Sequence, residues 1–299
     1  MPQETKRAPR RTRPFAGRLT PSGFALSDKE FDLFRSLIHD KAGISLADHK
    51  RGLVVSRLAK RLRSLGLASF KDYYCYLTEG ETGETEMVQM INRMTTNKTD
   101  FYRESYHFKY LEEELLPALA RKGEGKGARR LRVWSAASST GEEPYTIAIT
   151  LAKFFANMPG WDIKLLATDL DTEVLTFASQ GIYPAERVAP VPKHLRNKYF
   201  NKVGGGEPVS YQVSPQLRRM VTFRRFNLLA PTFPLKILLD FIFCRNVMIY
   251  FNNKDKIELL HKFHAVLKPG GYIFVGHSES LMMAKDIFRY VKHMIYQKI

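Results

Sequence analysis

Cysteine is nearly absent. Cys75 and Cys244 are the only two in 299 residues, and neither sits at metal-ligand spacing. That excludes a disulfide framework and suits a reduced, cytoplasmic protein. Long apolar runs are missing as well. Stretches such as Ile237–Leu239 and Val247–Phe251 fall far short of the roughly 20 residues that a membrane helix needs. The N-terminus is basic but lacks the apolar segment of a secretory signal. Acid is scarce: 30 acidic residues stand against 47 Lys and Arg, a formal charge of +17. Such a field favours an anionic partner, whether nucleic acid, a membrane surface or an acidic protein, without choosing among them. No internal repeat is visible.

What remains is globular. Hydrophobic residues make up 44% and charged residues 26%, enough for one large or two ordinary domains. Residues 1–26 read as a disordered basic arm carrying Lys6, Arg7, Arg10, Arg11, Arg13 and Arg18. Order is expected from Ser27, where Ser27 and Glu30 fit a capping box ahead of Phe31, Phe34, Leu37 and Ile38 at helical spacing. A second helix is predicted from His49 to Leu65, ended by Gly66, with Val54, Leu58, Leu62 and Leu65 as its apolar stripe. Its other faces carry Lys50, Arg51, Arg57, Lys60, Arg61 and Arg63 and no acid. Helices over 70–77 and 84–94 complete an all-helical domain, 27–94.

Past residue 95 the texture becomes that of an α/β domain, 95–299. LRVWSAASS (131–139) reads as a strand, 142–156 as a helix, IKLLATD (163–169) as a strand and 171–179 as a helix. Units of this kind imply a parallel sheet with helices on both faces. A further strand over 239–251, a helix over 255–267, a KPGG turn, the strand YIFVGHS and a last strand in FRYVKHMIYQKI follow. Residues 183–222, which hold Pro184, Pro190, Pro192 and a GGG, interrupt the pattern as a helix and a small antiparallel insert.

The first of these strands ends in Ser135-Ala136-Ala137-Ser138-Ser139-Thr140-Gly141-Glu142-Glu143. Small residues at a strand's C-terminal end let a ligand approach the backbone. The loop has neither the dinucleotide nor the nucleotide-triphosphate fingerprint. Glu142 and Glu143 suit the positive end of a helix dipole. They would also repel phosphate and welcome a cation, which fits S-adenosylmethionine with its amino group and sulfonium. Asp169 ends the second strand, 28 residues after Gly141. It can hydrogen-bond ribose hydroxyls or cap the following helix. In FIFCRNVMIYF (241–251), Arg245 and Asn246 break an apolar run and need polar partners.

TTNKTDFYRE (95–104), VWSAASSTGEEPYTIAI (133–149), ATDLD (167–171), FNLL (226–229), FIFCRNVMIYF and LKPGGYIFVGHSE (267–279) together resemble the CheR family of chemotaxis receptor methyltransferases. The resemblance covers roughly residues 27–295 in the family's order. It implies a class I S-adenosylmethionine-dependent methyltransferase fold: a Rossmann-like doubly wound sheet with an N-terminal helical domain and a β-subdomain insert. It implies methyl transfer to glutamate side chains, releasing S-adenosylhomocysteine. Asn97, Thr99 and Arg103 would lie at the cofactor, Arg103 facing its carboxylate. One of Glu142 and Glu143, preferably Glu143, would hold the amino group. Asp169 would take the ribose, Asn227 and Leu228 would flank the adenine, and Cys244 and Arg245 would touch the cofactor largely through backbone. Arg103 and Tyr250 are the candidates for orienting the acceptor carboxylate, although Tyr250 also fits a core aromatic. His277 reads as structural, since a carboxylate nucleophile is already ionised.

The resemblance also implies partners. The acid-free face with Arg57, Lys60, Arg61 and Arg63 would dock the acidic helical coiled coil of membrane-bound receptors, and the insert could take a receptor's C-terminal peptide. A monomer needing no metal and no specific nucleic acid is expected, recruited to receptor arrays. A nucleic-acid methyltransferase shares the fold and the charge, but base-amine methylases commonly carry an N-P-P-Y-like motif where CRNVMIY stands here. A non-catalytic cofactor-binding regulator is the other rival, and intact Arg103 and Tyr250 weigh against it.

Overall fold

The structure is a computed structural model, and it describes residues 23–79, 82–123, 129–205 and 208–299. The basic arm up to residue 22 and Gly206 of the glycine run lie outside the described residues. The helical domain comprises α1 (Asp28–Ala42), α2 (Arg51–Leu65), α3 (Phe70–Glu79) and α4 (Gly83–Met94). Ser27 caps α1 through the full capping box, its hydroxyl accepting from the Glu30 amide while the Glu30 carboxylate accepts from Ser27. The second helix starts later than its sequence pattern suggests, because Asp48–Lys50 form a 3-10 turn. Phe31, Phe34, Ile38, Val54, Leu58, Leu62, Phe70, Tyr73 and Met90 make one buried core between the four helices.

The chain then enters α5 (Tyr106–Tyr110), which continues through a π-helical segment (Leu111–Leu115) into α6 (Leu116–Gly123). The α/β pattern follows: β1 (Arg130–Ala136), α7 (Glu142–Phe154), β2 (Asp162–Asp169) and α8 (Thr172–Gln180). The insert contributes β3 (Ile182–Pro184), α9 (Ala185–Val188), α10 (Lys193–Tyr199), β4 (Phe200–Val203) and β5 (Ser210–Val213), with its three strands ordered β3-β5-β4 and antiparallel. Then come α11 (Pro215–Met220), β6 (Val221–Arg225), β7 (Leu239–Cys244), α12 (Asn253–Val266), β8 (Leu267–Val275), β9 (Phe288–Lys292) and β10 (Ile295–Lys298).

The main sheet has seven strands in the order β6-β2-β1-β7-β8-β10-β9. Its first five are mutually parallel, and β10 runs antiparallel to both neighbours. Side chains alternate across it, as the two-residue period of a strand requires. Val133, Phe241, Phe243 and Phe274 face α5, α6 and α7. Trp134, Ile242, Cys244 and Ile273 face α12. Two expectations are corrected. MVTF, read as part of the insert, supplies the edge strand β6 of the main sheet, paired parallel with β2. The last segment is two strands, because His293 and Met294 both adopt positive φ, 50° and 58°, and reverse the chain. No helix among the described residues is long and apolar enough to cross a membrane.

Candidate active site

The C-terminal ends of β1, β2 and β7 open into a cleft walled on the far side by the helical domain. The cleft holds about 1010 Å³ of empty space, including its open mouth. Its lining includes Asn97, Thr99, Arg103, Glu143, Asp169, Asn227, Leu228, Arg245 and Tyr250. Nine of the sequence-predicted residues therefore meet in one place, although they come from points between residues 97 and 250. Ala42 and Ile44 reach it from the end of α1. Gly43 makes that approach possible. It ends α1 at φ 71°, and a Cβ there would fall 2.2 Å from the Leu229 side chain.

Arg245 and Asn246 find their partners here. The strand stops at Cys244, and Asn246 turns away at φ 59°. The buried Arg245 guanidinium donates to Glu143 Oε2 at 3.3 Å and to the Arg103 carbonyl at 2.5 Å, and it pairs with Glu104 at 3.3 Å. Asn246 donates its amide to Glu279 Oε2 at 2.7 Å, and Gly276 donates to the same oxygen at 2.7 Å. Glu104 also accepts from Asn246 Nδ2 at 3.4 Å and meets His277 Nδ1 at 3.1 Å. Burial works to raise the Glu104 carboxyl, but Arg245, His277 and Asn246 outweigh it and hold it down at about 2. Glu143 stays above the ordinary carboxylate range, because burial outweighs Arg245 and the Ser135 hydroxyl at 2.7 Å.

The two acids after Gly141 point in different directions. Glu143 lines the cleft. Glu142 does not: its carboxylate is 1% exposed, takes a hydrogen bond from Thr140 Oγ1 at 2.7 Å and pairs with Arg187 of the insert. Adjacent residues at a helix start diverge by about 100°, so only one can face a ligand. Cys244 is likewise off the lining. Its side chain is fully buried on the α12 side of the sheet, and burial raises its thiol well above the usual value.

The rest of the cleft is fixed by short polar contacts. Asp169 accepts from the Ser139 amide at 2.8 Å and the Asp171 amide at 3.0 Å. Capping of α8 falls to Asp171, whose Oδ1 accepts from Glu173 and Val174. That leaves Asp169 to face the cleft. Asp171 Oδ2 accepts from Thr95 Oγ1 at 2.8 Å and Asn97 Nδ2 at 2.7 Å, so it holds the cleft wall as well. Asn227 donates to the Lys41 carbonyl at 3.1 Å and accepts from the Leu229 amide, which ties this wall to α1. Arg103 donates to the Lys98 carbonyl at 2.9 Å. The Tyr250 hydroxyl has no hydrogen-bond partner among the described residues. Among those residues no cluster of three or more His, Cys, Asp or Glu could hold a metal ion.

Backbone strain gathers in the same place. Tyr102, Glu104, Ala137, Ser139 and Asn246 all hold positive φ, and the two other such non-glycine residues, His293 and Met294, form a hairpin turn that meets His107 through the His293 carbonyl. Each costs about 1–2 kcal/mol, and such strain persists where its surroundings over-determine it, typically at functional sites.

These elements match a known family over nearly the whole described chain. Residues 97–297 match the model of the CheR methyltransferase SAM-binding domain, and 29–95 match the CheR methyltransferase all-alpha domain. The chain belongs to the CheR methyltransferase family. Its relatives include the chemotaxis protein methyltransferase of Escherichia coli, 45% identical over 86% of each chain. Chemotaxis protein methyltransferase 2 of Pseudomonas aeruginosa is 42% identical over 91% of this chain and 94% of its own. The chemotaxis protein methyltransferase of Borreliella burgdorferi is 37% identical over 91% and 95%.

The donor set fits S-adenosylmethionine, the cofactor of this family domain. With it bound, Glu143 would offer a carboxylate to its amino group, Arg103 a guanidinium to its carboxylate, and Asp169 a buried acceptor to its hydroxyls. Phe226 and Leu228 line the same cleft with apolar surface that would suit a base. Three supporting residues escaped the sequence reading: Glu104, Asp171 and Glu279. All lie inside quoted motifs, but their role is to hold neighbours, which a motif does not reveal.

Arg57 and Arg61, both expected to dock a partner, are committed internally. Arg57 donates to the Met94 and Thr95 carbonyls at 2.5 and 2.8 Å and to Thr96 Oγ1 at 2.9 Å. Arg61 forks onto both oxygens of the buried Glu86, at 2.9 and 2.5 Å. Lys60 and Arg63 are exposed.

Proposed function

We propose that the protein transfers a methyl group to glutamate side chains of chemotaxis receptors, forming glutamyl methyl esters. The observation that carries this is that one cleft is lined both by Arg103 and by Tyr250, whose hydroxyl has no hydrogen-bond partner among the described residues. Together they offer a charged fork and a neutral donor, a combination suited to an incoming carboxylate. The names of the relatives supply the chemotaxis setting. Bound S-adenosylmethionine supplies a methyl group on a sulfonium, open to in-line displacement.

The protein's own part is alignment and charge control. An acceptor carboxylate is ionised at neutral pH, so the site has no proton to remove. Arg103 and Tyr250 orient it. Arg245 offsets part of the charge of Glu104 and Glu143, which would otherwise repel a third carboxylate more strongly. Enclosure between the helical domain and the sheet desolvates the nucleophile. Lys60 and Arg63, on the exposed side of α2, steer the acidic coiled coil toward the mouth from the cytoplasmic side of the receptor array.

The test is transfer of labelled methyl from S-adenosylmethionine to membranes holding the organism's chemoreceptors. Alkali-labile label in receptor is expected. Arg103→Ala should cut the rate about 100-fold, in line with loss of one oriented charge contact, with unchanged thermal stability. Label that is base-stable, or that enters RNA, would overturn the reading.

A further inference from the structure

The insert touches the cofactor cleft from behind, and it does so at a loop where Ala137 and Ser139 hold positive φ. Thr140 is the point of contact. Its carbonyl accepts from the Tyr183 hydroxyl at 2.7 Å, and its own hydroxyl accepts from Arg187 Nη2 at 2.6 Å while donating to Glu142 at 2.7 Å. Arg187 also pairs directly with Glu142. The guanidinium is seated beforehand, over the rings of Phe177 at 5.2 Å and Tyr183 at 5.7 Å. Gly141 closes the packing: at φ 97°, a Cβ there would lie 2.7 Å from the Tyr183 hydroxyl.

This clamp holds residues that face the other way. Ala137, Ser139 and Gly141 all carry positive φ, so the loop does not hold its shape by local preference. Ser139 donates its amide to Asp169 and its hydroxyl to the Asn97 carbonyl, at 2.8 and 2.9 Å. Glu143 follows Glu142 directly. Fixing Thr140 and Glu142 therefore fixes Asp169, Asn97 and Glu143, three groups of the cofactor cleft, from a residue that does not line it.

We propose that Arg187 is a positioning residue for cofactor binding: by holding Glu142 and Thr140 it keeps the strained cleft loop in its binding shape. The insert is then part of the cofactor site's support, whatever else it does. Without Arg187, the buried Glu142 carboxylate faces Asp100 and Tyr183 with no cation, and burial already raises it. Protonated, it can stay in place. Ionised, it must leave its pocket and take the loop with it.

The experiment is calorimetric titration of the full chain with S-adenosylhomocysteine at several pH values. Arg187→Met is expected to raise Kd about tenfold or more at neutral pH, the scale typical of a residue one step behind a ligand contact. The deficit should grow as pH rises and Glu142, whose carboxyl burial holds above its ordinary value, ionises. Glu142→Gln in the same chain should restore affinity and remove that dependence. Should Arg187→Met fail to fold, Arg187→Lys with and without Glu142→Gln carries the same comparison. An unchanged Kd, or a pH-independent loss that Glu142→Gln does not repair, would overturn the proposal. The inference rests on the cofactor assignment of the cleft. Wild-type protein that binds no S-adenosylhomocysteine would sink that assignment, whereas normal binding by wild type and variant alike sinks only the role of Arg187.

Discussion

At the N-terminal ends of β1, β7 and β8, Asp240 is buried against the Lys268 ammonium at 2.6 Å and the Arg132 amide at 2.8 Å. At the C-terminal ends of the same sheet, Arg245 is buried against Glu143, Glu104 and the Arg103 carbonyl. Both are buried charges with partners, and a chemist counting ion pairs would rank them alike. Their surroundings differ. Around Asp240, among the described residues, Gly270 at φ 71° leaves the ordinary backbone regions, and it does so as the turn glycine of KPGG. Both pairs stand beside a cavity, about 800 Å³ at Asp240 and about 1010 Å³ at Arg245, but around Arg245 five non-glycine residues hold positive φ. The lesson is that burial of charge does not mark a site. Nor does an adjoining cavity; strained backbone gathered beside them does.

Deleting each cation tests that distinction most severely. Arg245→Ala leaves two carboxylates uncompensated in a confined space, and it should lower stability by about 3–5 kcal/mol. Binding of S-adenosylhomocysteine should be lost with it, even at temperatures where the variant is folded. Lys268→Ala removes a partner that is 39% exposed, so about 1 kcal/mol is expected, with binding untouched. Denaturant titration and calorimetry on both variants decide the matter. Loss of binding in Lys268→Ala would erase the contrast between the two ends.

Acid should attack the cleft end through His107. This ring is fully buried beneath the cleft, with Nε2 2.7 Å from the His293 carbonyl and Nδ1 3.7 Å from Glu104. Burial, and then the positive charge of Arg245, lowers it to about 4. The unfolded chain takes up its proton near the ordinary 6.5, so the folded state's advantage is complete above that value and lost as pH falls toward 4. Between about pH 7 and pH 5 the loss should be about 2 kcal/mol. Glu104 adds a second loss only below its ordinary 4.5, as pH falls toward about 2. His107→Gln keeps a donor for the His293 carbonyl and removes the titration. Its stability should be nearly flat over that window, and an unchanged slope would remove His107 from the account.

Much of this was legible in the sequence, for reasons that can be named. The alternation of Val133 and Trp134, or of Phe241 and Ile242, is the local signature of a two-faced strand. The Ser27–Glu30 box is a contact between residues three apart. Nine cleft residues followed from the family resemblance, because the motifs carry their order. What escaped depends on distant partners. Nothing near Glu142 in sequence announces Arg187, 45 residues on, so the choice between the two glutamates could only lean one way. The hairpin at His293 and Met294 lacks the Asn-Gly signal that usually marks such a turn. Arg57 and Arg61 are indistinguishable from Lys60 and Arg63 along the chain, and only α4, folded against them, separates the four.

That separation supports the subtlest prediction, and it carries the comparison of structural with functional charge onto one helix. Lys60 and Arg63 lie on the exposed side of α2, whereas Arg61 is spent on Glu86, which also accepts from the Tyr73 hydroxyl at 2.8 Å. Lys60→Glu with Arg63→Glu should leave thermal stability within about 0.5 kcal/mol, as surface changes do. It should leave cofactor affinity unaltered. KM for receptor membranes should rise several-fold at low salt, and the difference should shrink as added salt screens the surface, since the Debye length falls to about 8 Å at physiological ionic strength. A salt-insensitive KM equal to wild type would show that α2 presents no docking charge, and that its whole basic composition serves, as Arg57 and Arg61 do, to hold the helical wall of the cleft in place.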